Sequence, residues 1–160
     1  MKIIVGASRN SLIGSKAIQW WIDAKYSHSY VRWTLSSQER DIIYQASHGM
    51  VHFQSLENFQ AQNEIMEEIE LDLTADQFKR FSTKCIDLAG VAYSRIELLQ
   101  IFVCDLTDGK ITFEDQPGYI CSELICDLIA DLGIKFNKPK YLMNPKDIMQ
   151  CLRTYKANLA

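Results

Sequence analysis

The side chains of this chain best suited to covalent chemistry are its five cysteines, at positions 85, 104, 121, 126 and 151, because a thiolate is a strong nucleophile near neutral pH. Cys121 stands apart from the other four. It follows the turn-forming pair Pro117-Gly118 and opens an apolar-periodic run to Leu132, with Leu124, Ile125, Leu128, Ile129 and Leu132 on one side and Gly133 as the stop. A thiol at a helix start faces unpaired amides and the positive end of the helix dipole. Both favour the thiolate, so its pKa is expected to fall. Cys85 belongs to an apolar stripe, Cys104 closes a hydrophobic run, and Cys126 and Cys151 lie inside helical patterns, settings that suit buried structural thiols. For Cys121, position alone leaves nucleophile and core thiol equally open.

A nucleophilic thiol needs a base, and the chain has three histidines, His28, His48 and His52. His28 begins Ser27 to Leu35, whose β-branched and aromatic content and alternation mark a strand expected to be central. A strand holds its side chains firmly, and residues on one face of a sheet can meet the N-terminus of a helix packed across it. A histidine at a strand end, hydrogen-bonded to a loop, fits the same pattern. His48 and His52 would share a strand face with Met50, as a metal pair might require, but no third ligand is fixed by spacing; Glu57, Glu64 and His28 are the nearest candidates. Gly14-Ser15-Lys16 follows a strand and precedes a helix, yet a phosphate loop needs Lys before the hydroxyl residue and here the order is reversed.

The elements that must hold these groups read as α+β. A first strand spans about residues 2–7, and Ser11 to Ala24 has helical spacing. Ser27 to Leu35 and Asp41 to Ser47 make an antiparallel pair about the polar turn 36–40, with further strands at 49–53 and 65–71. Thr74-x-x-Gln77 is a capping box before the stripe Phe78, Phe81, Cys85, Leu88, and Ser94-x-x-Glu97 repeats the device. Asn144-Pro145 opens a last helix through Leu152. The expected fold is a small antiparallel sheet packed against a group of helices. No repeat or Pro/Gly-rich linker divides it, so one domain over 1–160 is expected.

Composition narrows the function. The 160 residues carry 17 Lys+Arg against 20 Asp+Glu, a net charge of −3 with the signs interspersed, which offers no field for a nucleic-acid backbone or an anionic membrane surface. A chain this long buries a core without disulfides. An odd cysteine count with no C-x-x-C argues against a disulfide framework or zinc ribbon and for a reducing compartment. No segment approaches the ~18 apolar residues of a membrane span, and Ile3-Ile4-Val5 ends too soon at Gly6 for a signal-peptide core. A cytoplasmic or phage-derived protein without an integral membrane segment is expected.

With His first and Cys late, the chain resembles the permuted papain-like thiol hydrolases related to NlpC. The branch it resembles is the YiiX-like one, itself similar to the lecithin–retinol acyltransferase group. The resemblance is carried by Ser11 to Trp33 with Tyr26-Ser27-His28, Asp41 to Val51, Gly90-Val91-Ala92-Tyr93, Tyr119 to Leu132 with Cys121-Ser122-Glu123-Leu124, and Asn144-Pro145-Lys146-Asp147-Ile148. It implies a circularly permuted papain-like fold with Cys121 as nucleophile, His28 as general base, and a third polar residue orienting the imidazole. Gln45 is favoured for that third role and His48 competes for it. Tyr30 and Arg32 stand where relatives have small apolar residues, share the His28 face, and are expected to narrow the cleft or bind a carboxylate or phosphate of the substrate.

The implied reaction is hydrolysis of an amide, isopeptide or acyl-ester bond through an acyl-enzyme, with no cofactor or metal. The compatible substrates are a peptide, a peptidoglycan peptide and a lipid acyl group. Two readings compete with it: a non-catalytic binding or phage/host-interaction module that retains the cleft, and a metal-dependent hydrolase using His48 and His52.

Overall fold

The computed structural model describes residues 1–93, 102, 107 and 118–159. In chain order it has β1 (Lys2–Arg9), α1 (Ile13–Trp21), β2 (His28–Leu35), β3 (Arg40–Ser47), β4 (Met50–Ser55), α2 (Leu56–Gln60), β5 (Glu64–Asp72), α3 (Ala75–Leu88), α4 (Cys121–Ile129) and α5 (Pro145–Leu159). Short 3-10 turns lie at Ala130–Leu132 and Lys140–Leu142. The Ser94-x-x-Glu97 cap, Cys104 and Pro117 fall outside the described residues.

The capping signals act as the sequence suggests. Thr74 and Gln77 bond reciprocally at the start of α3, the Thr74 side chain accepting from the Gln77 amide at 3.2 Å. Asn144 and Asp147 do the same at the start of α5, Asp147 N–H donating to Asn144 Oδ1 at 3.0 Å and Asn144 N–H to Asp147 Oδ2 at 3.1 Å. Gly133 takes the left-handed conformation, φ 74°, that ends the α4 segment. Helix α2 is an addition to the expected elements. Its five residues are too few to show a helical period, and Ser55 caps it by accepting from the Asn58 amide.

The five strands form one antiparallel sheet in the order β4-β3-β2-β1-β5, so β2 is central, as expected. Alternation gives the sheet two unlike faces. Val5, Ala7, Val31, Trp33, Tyr44 and Ala46 face a core filled by Leu124, Ile125, Leu128 and Ile129 of α4 and Ile148, Met149 and Leu152 of α5. Burying a continuous core of this kind supplies most of the driving force for the fold.

The opposite face has a small apolar cluster, Tyr30, Ile43 and Phe59 of α2, and a polar lattice that crosses strands. Tyr30 on β2 reaches over Gly6 of β1 and donates to Glu68 Oε1 of β5 at 2.7 Å. Arg32 grips the same carboxylate with two nitrogens, at 2.7 and 2.8 Å, and also pairs with Asp41 on β3. Glycine at position 6 makes room for the ring, because a Cβ there would lie 2.2 Å from Tyr30 Cζ and force the ring to shift.

Among the described residues, no helix is long and apolar enough to cross a membrane.

Candidate active site

A cleft of about 250 Å³ opens at the end of the sheet where β2 begins and β3 ends. Its polar lining includes His28, Gln45, His48, Cys121, Ser122 and Asn144, and its apolar wall includes Leu12, Ile18, Trp21, Tyr93 and Met143. The first residues of α4 and α5 both reach it, so two positive helix ends converge on one space. Of the six expected site residues, Cys121, His28, Gln45 and His48 line this cleft and Tyr30 and Arg32 do not.

Cys121 is the first residue of α4 and only 4% exposed. Burial pushes its thiol above the ordinary value, while the backbone amides of Ser29, Ser122 and Cys121 itself favour the thiolate and hold the rise back. The expectation of a lowered pKa is therefore corrected: the helix-start amides are present, but removal of water from the sulfur outweighs them. The contact with the Ser29 amide sets Cys121 against the residue that follows His28 in β2.

His28 is braced from one side. Its Nε2 lies 2.7 Å from Gln45 Oε1, and Gln45 Nε2 in turn donates to Gln54 Oε1 at 2.8 Å. With Gln45 Oε1 facing the ring, the bond requires Nε2 to carry the ring hydrogen, which leaves Nδ1 as the basic nitrogen. His28 as a residue is half-buried, and burial holds its pKa down at about 4, against the raising effect of the Gln45 bond. At neutral pH the cleft holds a neutral imidazole and a neutral thiol.

The two groups line one cleft but are not joined by a hydrogen bond. By register His28 shares a face with Tyr30 and Gln45, the face away from α4, whereas Cys121 belongs to α4 on the other side of the sheet. Gln45 is 2% exposed and bonded to His28. His48 also lines the cleft, at a hairpin position with φ 51°, but its Nδ1 bonds to Ser47 Oγ at 3.1 Å.

Tyr30 and Arg32 share the His28 face as expected, but neither lines the cleft. Tyr30 is fully buried and its hydroxyl is taken by Glu68, while Arg32 is committed to Glu68 and Asp41. Their polar ends point into the cross-strand lattice and not toward a ligand, which corrects their expected role in substrate binding.

His52 and His48 are bridged by Ser47, whose Oγ lies 2.9 Å from His52 Nε2, and their rings lie 6.4 Å apart edge to face. Among the described residues, no three of His, Cys, Asp and Glu come together as a metal site would require.

Sequence reasoning passes over Gln54 and the Ser29 amide. The first has a usable signal: the hairpin turn at His48-Gly49 pairs Gln45 with His52, which places Gln54 one diagonal step from Gln45. The Ser29 amide has none, because backbone groups have no identity in a sequence.

No protein-family model matches the chain, and no curated protein sequence matches it significantly. A solved structure does: the crystal structure of the metalloprotein yiiX from Escherichia coli O157:H7 is similar at a TM-score of 0.59 and 18% identity, over 85% of this chain and 68% of that one. At that identity the likeness speaks for architecture and not for chemistry. The antiparallel sheet, its packed helices and this structural match together show that the chain has a YiiX-like α+β fold.

Proposed function

We propose that this protein is a cysteine hydrolase of the permuted papain-like kind, with Cys121 as nucleophile, His28 as general base and Gln45 as the residue that orients the imidazole. The observation that carries the reading is that Cys121 and His28 line one cleft, with Gln45 hydrogen-bonded to the ring.

Because both groups rest neutral, the base has to act during attack and not before it. His28 Nδ1 takes the thiol proton as the sulfur bonds to the carbonyl carbon of the substrate. The carbonyl electrons move onto oxygen, where the amides at the start of α4 stabilise the charge. His28 then returns the proton to the leaving amine or alcohol as the acyl-enzyme forms, and afterwards activates a water that releases the acid. Gln45 does not transfer protons; it holds Nε2–H and supports the imidazolium formed in each step.

The similar yiiX structure is described as a metalloprotein. The donor set here does not fit a protein-held metal, since His48 and His52 have no third His, Cys, Asp or Glu beside them among the described residues, and no step is routed through one.

The reading is tested by incubating the protein with a small activated ester such as p-nitrophenyl acetate and mapping the acyl group by mass spectrometry. One acyl group on Cys121, absent from Cys121→Ala, is the expected result. Acylation of the Cys121→Ala protein at the wild-type rate would remove the assignment.

A further inference from the structure

Ser15 is the one buried side chain of α1, and the hydrogen bonds around it fix the direction of a proton. Asn10 N–H donates to Ser15 Oγ at 3.3 Å, and Gln19 Nε2 donates to the same oxygen at 3.0 Å. Gln19 Nε2 also lies 3.2 Å from the Ser15 carbonyl, which can only accept, so the nitrogen of that amide and not its oxygen faces Ser15. A hydroxyl oxygen has two lone pairs and one hydrogen. With both lone pairs taken, the 2.6 Å bond between Ser15 Oγ and Ser27 Oγ runs from Ser15 to Ser27.

Ser27 therefore accepts from Ser15 and keeps its own hydrogen. Among the described residues Ser15 is the partner of that hydroxyl, and no second one accepts from it. Ser27 is 7% exposed and lines the cleft with His28 and Cys121, its backbone amide held by Ser8 O at 3.0 Å. A buried O–H without an acceptor is costly, and a ligand oxygen removes that cost. We infer that Ser27 determines specificity in this cleft: its hydroxyl donates to an amide carbonyl of the ligand other than the carbonyl that is attacked.

The surroundings select an amide as the acceptor. Asn10, whose N–H anchors Ser15, lines both the cleft and an adjoining groove, as does Asn63, and half of the residues lining that groove are Asn or Gln. Its Arg9 and Glu64 pair with each other at 2.8 Å, which leaves Lys16 uncancelled. Side-chain amides offer both donors and acceptors, which match the amides of a ligand and give nothing to a hydrocarbon chain. The inference rests on the proposed reading of the cleft as a substrate site, and not on the cysteine chemistry within it.

The test is an NMR titration of the full chain carrying Cys121→Ala, in which no acyl transfer to that residue can occur. The two probes are N-acetylglycinamide and pentanamide, similar in length and differing by the inner amide. Adding Ser27→Ala is expected to weaken N-acetylglycinamide about three- to tenfold, the worth of one neutral hydrogen bond, and to change pentanamide by less than about twofold. Ser27→Cys, close in size and a weak donor, carries the same expectation and serves if Ser27→Ala melts early. A serine with a merely structural role would instead lower the melting temperature and weaken both probes alike. Equal loss of both probes, undiminished binding of N-acetylglycinamide in both Ser27 variants, or no binding of it to the protein with Ser27 intact would each overturn the proposal. If wild-type Cys121 resists acylation while the probes behave as expected, the proposed chemistry fails and the role of Ser27 stands.

Discussion

At Cys121 burial and the helix-start amides act on one sulfur in opposite senses, and burial wins. His28, the proposed base, is also neutral, its pKa held down at about 4 by burial. Acylation should therefore rise with pH through about 4, as His28 loses its proton, and stay level through neutrality up to the alkaline range. A rate profile of single-turnover ester acylation measures this; a limb centred near the ordinary histidine value would show that the ring is not buried as described. The same shift bears on stability. The unfolded chain binds the His28 proton near 6.5, the folded chain only near 4, so stability is full above the unfolded value and falls as pH drops between the two. The loss is at most about 3 kcal/mol, reduced by solvent at this half-buried residue. Urea titrations at pH 7 and 4.5 should show a smaller acid loss in His28→Gln than in wild type. Both cleft residues were readable in the sequence, Cys121 from its helix start and His28 from its strand. What the sequence could not show was the sign of the Cys121 shift, because that depends on how completely packing removes water from the sulfur.

At the level of elements, the site is held by the end of β2, the hairpin of β3 and β4, and the starts of α4 and α5. Most of these were readable because capping boxes, turn residues and alternation are local signals. Helix α2 was not, being too short for a period, and Tyr30 and Arg32 were misjudged because their partner Glu68 lies two strands away across Gly6. That arrangement makes a prediction. Gly6→Ala forces the Tyr30 ring off Gly6 and should destabilise the protein by about 1–3 kcal/mol, the usual cost of overpacking. Thr74→Ala, which removes only an exposed cap, should cost about 1 kcal/mol. Denaturant midpoints of the two variants measure both, and an unaffected Gly6→Ala protein would contradict the close approach of Tyr30.

For the whole molecule, the two faces of the sheet do different work. The apolar face carries the core and fixes α4, whose first residue is the thiol, while the polar face carries the lattice and the His28–Gln45–Gln54 chain. Catalysis as proposed needs both faces in register at the end of β2. Changing Gln54 should therefore slow acylation without touching the cleft: Gln54→Leu releases Gln45 and is expected to reduce the rate by less than His28→Ala does, with melting little changed.

The most direct test of the central claim, that His28 activates Cys121, is the rate of Cys121 acylation in His28→Ala at pH 7. A fall of about 10²- to 10⁴-fold with the protein still folded is the predicted result. An acylation rate equal to that of wild type would contradict it.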